Sequence, residues 1–216
     1  MSHTCGRRTV PPMHDTAYNI GGIFLRTYAK SGDHILDIGS MDVNGSLRAL
    51  APPDCRYVGI DLEAGPGVDI VVGRISQLPF APASFDAIVT SSCFEHDAMF
   101  WQTFVEMCRV LKPAGYIYIN APSKGYMHSY PIDAWRFFPD AGIALRDWAK
   151  INFCAVELVE SFITRNIADI WNDCVMVFTK GDPPPSGEFI SNQYDLAINV
   201  RQWPRLTEIQ RHEIAW

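Results

Sequence analysis

The sequence predicts an α/β protein built on a doubly wound, mostly parallel sheet. An apolar run, His34-Ile-Leu-Asp-Ile-Gly39, reads as a buried strand entering a tight turn. About 20 residues beyond Gly39 a second short run, Arg56-Tyr-Val-Gly-Ile-Asp61, ends in an acid. Downstream, β-like runs alternate with segments of helical spacing, which implies strands covered by helices on both faces and ligands received at the strands' carboxyl ends.

Each element follows from local pattern. Residues 1–14 are polar and carry Pro11-Pro12, the composition of a loose arm. Asp15 can cap a helix running through Lys30, with Ile20, Ile23, Phe24 and Tyr28 near helical spacing, and Ser31-Gly32-Asp33 ends it. Strand one follows, and Asn44-Gly45-Ser46 is expected to open a helix. Strand two is 56–61, a short strand three is 68–72, and Phe85–Ser91 is strand four. Phe100, Phe104, Met107 and Val110 mark a helix over about 98–110. Lys112-Pro-Ala-Gly115 reads as a turn and Tyr116–Asn120 as strand five. Pro139-Asp140 starts a helix to about 150. The runs 152–163 and 171–180 are expected to pair as an antiparallel hairpin, giving about seven strands in all. Asp182-Pro-Pro-Pro-Ser-Gly187 breaks the pattern. The organisation is thus 1–33 arm and helix, 34–180 main domain, and 181–216 a mixed tail in which Trp203 and Trp216 are expected to pack.

Composition narrows the class. The 216 residues are 48% hydrophobic and 19% charged, enough for one globular domain with a sizeable core. Eighteen basic against 24 acidic residues give a net charge of −6, with no basic run, which argues against a nucleic-acid backbone as partner. Cys5, Cys55, Cys93, Cys108, Cys154 and Cys174 are scattered without a C-x-x-C pair, as expected of reduced thiols. No run of about 18 apolar residues occurs, so neither a membrane span nor a membrane partner is expected and the reading is cytoplasmic.

The turn and the acid together describe a nucleoside site. Gly39 lets the backbone approach a ligand, and Asp61, at the next strand end, can accept two ribose hydroxyls. A dinucleotide fold would show G-x-G-x-x-G, whereas this turn has only Gly39 and Gly45. Asp37, two residues before the glycine, suits a ligand with a cationic amino-acid end, although a strand-end Asp can also serve the fold alone.

Four further segments, in order and at matching spacing, extend the pattern. They are Gly73-Arg-Ile-Ser-Gln-Leu-Pro-Phe80, Ser84-Phe-Asp-Ala-Ile-Val89, Phe94-Glu-His96 and Arg109-Val-Leu-Lys-Pro-Ala-Gly115. With Asp37-Ile38-Gly39 they resemble the class I S-adenosylmethionine (SAM) methyltransferases over residues 34–180. The resemblance implies a Rossmann-like fold and SAM as cofactor, with Asp37, Gly39, Ser40, Asn44, Asp61, Leu62, Arg74, Ile75 and Ser91 lining its site. Two departures stand out. Ser40-Met-Asp-Val-Asn-Gly45 replaces the usual Gly-rich turn, and Arg74 stands where the family has an adenine-contacting acid. A guanidinium cannot accept the adenine amino hydrogens, but it can stack on the ring, with the Ile75 N–H left for a ring nitrogen. In the same resemblance Asp86 is a structural acid.

Acceptor-side candidates come from the loops after strands four and five. His96 can take a proton during transfer or simply hold its loop. Met127-His128-Ser-Tyr130-Pro-Ile-Asp133-Ala-Trp135-Arg136-Phe-Phe138 packs acid–base groups and aromatics into a dozen residues. His128 and Tyr130 are the other candidate bases. Asp133 and Arg136 are candidate substrate contacts, either through Arg136 anchoring an anionic acceptor or through an ion pair with Asp133 or Asp140. The [D/N]-P-P-Y turn of base and amide methylation is absent after strand four, where Ser91-Ser-Cys-Phe94 stands, and so is the acid of a catechol-type metal site. The expectation is therefore a metal-independent O- or N-methyltransferase acting on a small polar metabolite or sugar, as a monomer or a homodimer. A non-catalytic SAM-binding module acting through a partner is one alternative, and an NAD-dependent oxidoreductase is another.

Overall fold

The computed structural model describes residues 15–43, 45–73, 77–166, 170–183 and 188–213. Helix α1 (Asp15–Tyr28) leads into β1 (His34–Ile38). Strands β2 (Arg56–Asp61), β3 (Ile70–Val71) and β4 (Phe85–Ser91) precede α2 (Phe100–Val110) and β5 (Leu111–Lys124). Helix α3 (Asp140–Ile151) comes next, followed by β6 (Glu157–Thr164), β7 (Asn172–Thr179), the short α4 (Ile190–Gln193) and β8 (Ala197–Gln202). The strands form one sheet in the order β3-β2-β1-β4-β5-β7-β6-β8. The first five strands are parallel, β7 is antiparallel to β5, and β6 is antiparallel to both β7 and β8. The expected doubly wound sheet with its antiparallel hairpin is therefore present, with eight strands instead of about seven.

Each sheet face carries its own core. On one face Ile20, Phe24, Leu25 and Tyr28 of α1 pack with Ile35, Val89, Tyr118 and Val177. On the other, Phe104, Met107 and Cys108 of α2 and Leu145 and Ala149 of α3 pack with Leu36, Ile88, Ile117 and Phe178. The motif residue Arg109 acts here as a clamp: its guanidinium bonds Glu106 and donates to the carbonyls of Leu78 and Phe80, fastening the 77–80 segment to α2. Asp86 accepts from the His34 N–H and the Lys112 ammonium, the structural role the resemblance implied.

Three local expectations change. The helix expected after Asn44-Gly45-Ser46 is only a 3-10 turn, Leu47–Leu50, capped by the Ser46 hydroxyl accepting from the Arg48 N–H. Pro52 and Pro53 follow within three residues, where a continuing helix would need free N–H groups. The 112–115 turn is absorbed into an irregular start of β5, where the register with β4 shifts and Ala114 takes φ +60. Finally, part of the expected tail joins the sheet. β8 hides both faces, and its Arg201 and Gln202 are buried by bonds to Leu206 O, Ser191 and Asn192, so no polar–apolar alternation marks it in sequence.

Candidate active site

The carboxyl end of β1 turns beneath the end of β2, where the N–H groups of Gly39 and Ser40 both donate to Ile60 O. Gly39 takes φ +78, and a Cβ there would lie 2.7 Å from Cys93 Cβ. The close approach that requires this glycine is therefore to the loop after β4. Asp61 closes the turn, with Oδ2 accepting from the Met41 N–H at 3.0 Å and Oδ1 from the Leu62 N–H at 2.7 Å. Asp42 N donates to Pro66 O, and Gly67, at φ +82, would place a Cβ 2.6 Å from Ser40 O. Residues 40–42, the start of the segment that departs from the family's Gly-rich turn, are thus clasped by the 62–69 loop.

Within β1, Asp37 is buried and accepts a hydrogen bond from Tyr57 OH at 2.8 Å. Burial pushes its carboxyl up to about 7, the Tyr57 bond and the Arg48 guanidinium offset part of that, and Asp61 adds to it. Further along the same edge, Ser40 Oγ, Ser91 Oγ and Asn120 Oδ1 are buried with no hydrogen-bond partner among the described residues. Ser91 and Asn120 stand side by side on β4 and β5. Three orphaned polar atoms beside two carboxylates suit the ammonium and hydroxyl groups of an amino-acid nucleoside, so the donor and acceptor set fits SAM. Leu62 presents an exposed apolar side chain next to Asp61. Asn44, Arg74 and Ile75 lie outside the described residues.

The second group sits where β4 and β5 end. Phe94–His96 forms a 3-10 turn, and the 126–138 segment folds against it: Ala134 N donates to Glu95 O, and His96 Nδ1 bonds Ile132 O. His128 follows, its Nδ1 3.2 Å from Tyr126 O and 3.5 Å from Asp133 Oδ2. The two imidazoles meet edge to face at 4.9 Å between centroids, and Trp171 flanks His128 at 5.0 Å. Their Nε2 atoms lie 3.6 and 3.9 Å from one atom, Glu95 Oε1. Glu95 is only 1% exposed and its Oε2 has no partner among the described residues. Burial pushes its carboxyl up to about 8, while burial pulls His96 below the usual imidazole range.

Sequence reasoning singled out both histidines but not Glu95, although the Phe94-Glu95-His96 motif carried it in view. Arg136 makes the ion pair that was the alternative to anion anchoring. Its guanidinium forks onto both oxygens of Asp133 and also donates to Trp135 O and Tyr126 O. Those bonds hold Asp133 well below the usual carboxylate range, and Asp133 also accepts from the His128 N–H. Asp140 pairs with Arg201 instead. Tyr130 is exposed, as are Tyr126, Met127 and Trp135 of the same segment.

Comparison with known proteins agrees with the fold. Residues 21–119 match the family model described as a methyltransferase domain. A demethylmenaquinone methyltransferase from Symbiobacterium thermophilum is 30% identical over 107 residues, covering 42% of this chain and 43% of that protein. A phthiotriol/phenolphthiotriol dimycocerosates methyltransferase from Mycobacterium ulcerans is 34% identical over 104 residues, 40% of this chain and 36% of its own. The match thus spans less than half the length of either relative. Among solved structures, the 1,6-didemethyltoxoflavin-N1-methyltransferase of Burkholderia thailandensis, with bound 1,6-didemethyltoxoflavin and S-adenosylhomocysteine, superposes with a TM-score of 0.62. It is 16% identical, over 78% of this chain and 80% of that one. No helix among the described residues is long and apolar enough to cross a membrane.

Proposed function

We propose that this chain, whose residues 21–119 match a family model described as a methyltransferase domain, is a class I SAM-dependent enzyme that methylates an oxygen or nitrogen of a small-molecule acceptor. The observation that carries this reading is the row of buried polar atoms at the strands' carboxyl edge that have no partner among the described residues, with the Glu95–His96–His128 cluster in the loops that follow β4 and β5. When bound, SAM supplies a sulfonium methyl group. Asp37 would face the ammonium, Asp61 the ribose hydroxyls, Leu62 the adenine, and Gly39, Ser40 and Ser91 the remaining contacts; Asn44, Arg74 and Ile75 extend the same proposal outside the described residues.

The acceptor would enter beside His96 and His128, with its lone pair in line with the departing sulfur. The bond from acceptor to methyl carbon forms as the carbon–sulfur bond breaks, and sulfur keeps the electron pair. Holding the partners in that alignment is the enzyme's main contribution and is worth several kcal/mol. A hydroxyl acceptor also has to lose its proton, and the displacement itself needs no metal for that. Nε2 of His96 or His128 can take the proton, and Tyr130 is a more exposed alternative. Asp133 and Arg136 would then act by holding His128 in position, so an anionic acceptor would need contacts besides the Arg136 fork.

For the acceptor, the polar cluster favours a polar metabolite or sugar. The exposed Tyr126, Met127 and Trp135 in the segment that carries His128 favour a second reading, an apolar acceptor with one reactive hydroxyl or amine. Calorimetric SAM binding, followed by an acceptor panel spanning sugars, acidic metabolites and quinols, tests both. Release of S-adenosylhomocysteine is expected with one class. SAM retention without turnover on any of them would instead indicate a binding module, and failure to bind SAM in competition with NAD would end the assignment.

A further inference from the structure

We propose that Glu95, His96 and His128 bind one divalent first-row transition ion, of the Zn2+ kind, at the acceptor end of the site. Hydrogen bonding fixes the tautomers. His96 Nδ1 faces the Ile132 carbonyl, and His128 Nδ1 faces the Tyr126 carbonyl and the Asp133 carboxylate, so each Nδ1 carries the proton. The lone pair is left on Nε2 in both rings, and both Nε2 atoms converge on Glu95 Oε1, at 3.6 and 3.9 Å.

Two nitrogen lone pairs converging on the oxygen of a buried carboxylate repel it unless a cation or a shared proton lies between them. The candidate ligand atoms all fall within 4.8 Å of one another. Bonds of about 2.0–2.1 Å at tetrahedral angles would set neighbouring ligands roughly 3.3 Å apart, so a modest contraction closes the site. The Oε2 of the same carboxylate is buried too and has no partner among the described residues. The Nδ1–H bonds to carbonyl and carboxylate are the supporting contacts that metal-bound imidazoles make, and Arg136 orients Asp133 behind them. Two imidazoles favour Zn2+, Fe2+ or Co2+ over Mg2+ and Ca2+.

The absence of a metal was expected because no acid stands at 91–94. The carboxylate arrives one residue later, swung inward by the 3-10 turn. Three protein ligands leave a position for the acceptor, whose hydroxyl would lose its proton to solvent more readily when coordinated. This use of the ion rests on the methyl-transfer reading above and, because the ion occupies both Nε2 lone pairs, it replaces the histidines by solvent as proton acceptor; the binding of the ion does not rest on that reading.

The test uses the full chain, stripped with a chelator and dialysed, then titrated with Co2+ by visible absorption and with Zn2+ by calorimetry. The expected result is one ion per chain, ligand-field bands without the thiolate charge-transfer band that a cysteine site would give, and no comparable uptake of Mg2+. His128→Gln and His96→Gln should each weaken the ion by more than about a hundredfold, beyond the range that loss of a supporting contact typically costs. His128, the more exposed of the two, is the variant whose melting curve should stay unchanged. No saturable binding, a thiolate band, or an unchanged affinity in His128→Gln would overturn the proposal and leave a proton shared between Glu95 and a histidine. SAM titration of the same samples keeps the two readings apart: SAM binding without ion binding removes only the metal, and ion binding without SAM binding removes only the methyl transfer.

Discussion

Glu160 and Glu95 are both buried carboxylates, yet their surroundings are opposite. Glu160, on β6, accepts from the N–H groups of Ile190 and Ser191, the Ser191 hydroxyl and Tyr28 OH. Every partner belongs to the fold, and the carboxylate pins α4 and the approach to β8 onto the sheet. Glu95 has one oxygen unpartnered among the described residues and the other facing two imidazole nitrogens. Burial raises both carboxyls. A raised carboxyl alone therefore does not separate a structural acid from a functional one, whereas the completeness of its hydrogen bonding does.

Glu160→Ala should break the structural half of that contrast most visibly. It strands two backbone N–H groups and a hydroxyl in a buried place, costing about 3 kcal/mol. For a chain of this size that is a fall of roughly 6–12 °C in melting temperature. SAM affinity, measured on the folded variant at low temperature, should stay within about threefold. A melting temperature unchanged by the substitution would mean that burial, not bonding, describes Glu160.

Asp61→Ala probes the other side of the contrast, a carboxylate that already holds the Met41 and Leu62 N–H groups and has lone pairs left for ribose. Each charge-assisted bond lost is worth about 1.5–3 kcal/mol, so SAM binding should weaken by ten- to a hundredfold or more. An affinity within about threefold of wild type would take Asp61 out of the site.

Asp37 sharpens the comparison because it is buried and its carboxylate accepts a single hydrogen bond among the described residues. Its folded value near 7 lies above the ordinary carboxylate range, so between pH 4 and 7 the folded chain keeps a proton that the unfolded chain has released. Stability therefore falls as pH rises through that window and levels off above it. Asp37→Asn, which can still accept from Tyr57, removes that loss. Its melting temperature should exceed wild type by a few degrees at pH 8, with the gap closing towards pH 5. SAM binding at pH 8 should weaken in the same variant. Equal melting curves at both pH values would show that Asp37 is not desolvated in the free protein.

The contrast also explains what the sequence could and could not reveal. β2 and β4 are found at their expected limits because short apolar runs bounded by turn residues define them locally. Asp37, Asp61 and His96 could be singled out as candidates because strand ends and motif spacing mark them, and His128 because its segment gathers acid–base groups and aromatics. β8 was not, since its inward polar residues are neutralised by partners distant in sequence. Neither was the role of Glu160, whose partners are 30 and 132 residues away. Glu95 fell between these cases, visible in a motif while its burial depends on a loop more than thirty residues downstream.

The smallest expected effect belongs to Arg136→Lys. An anchor for an anionic acceptor and a brace for the loop would both use a guanidinium, but they differ in what a point charge can replace. The fork on Asp133 and the bonds to the Tyr126 and Trp135 carbonyls need several donors fixed in a plane, and an ammonium cannot supply all of them. Asp133 is buried and the guanidinium only a quarter exposed, but lysine keeps a positive charge against the carboxylate, so the change should cost about 1 kcal/mol. Melting temperature should therefore drop by about 2–4 °C, with the acceptor KM held. A raised acceptor KM at unchanged melting temperature would reverse the assignment: the fork would then have turned from Asp133 to the substrate, and the acceptor would carry the negative charge.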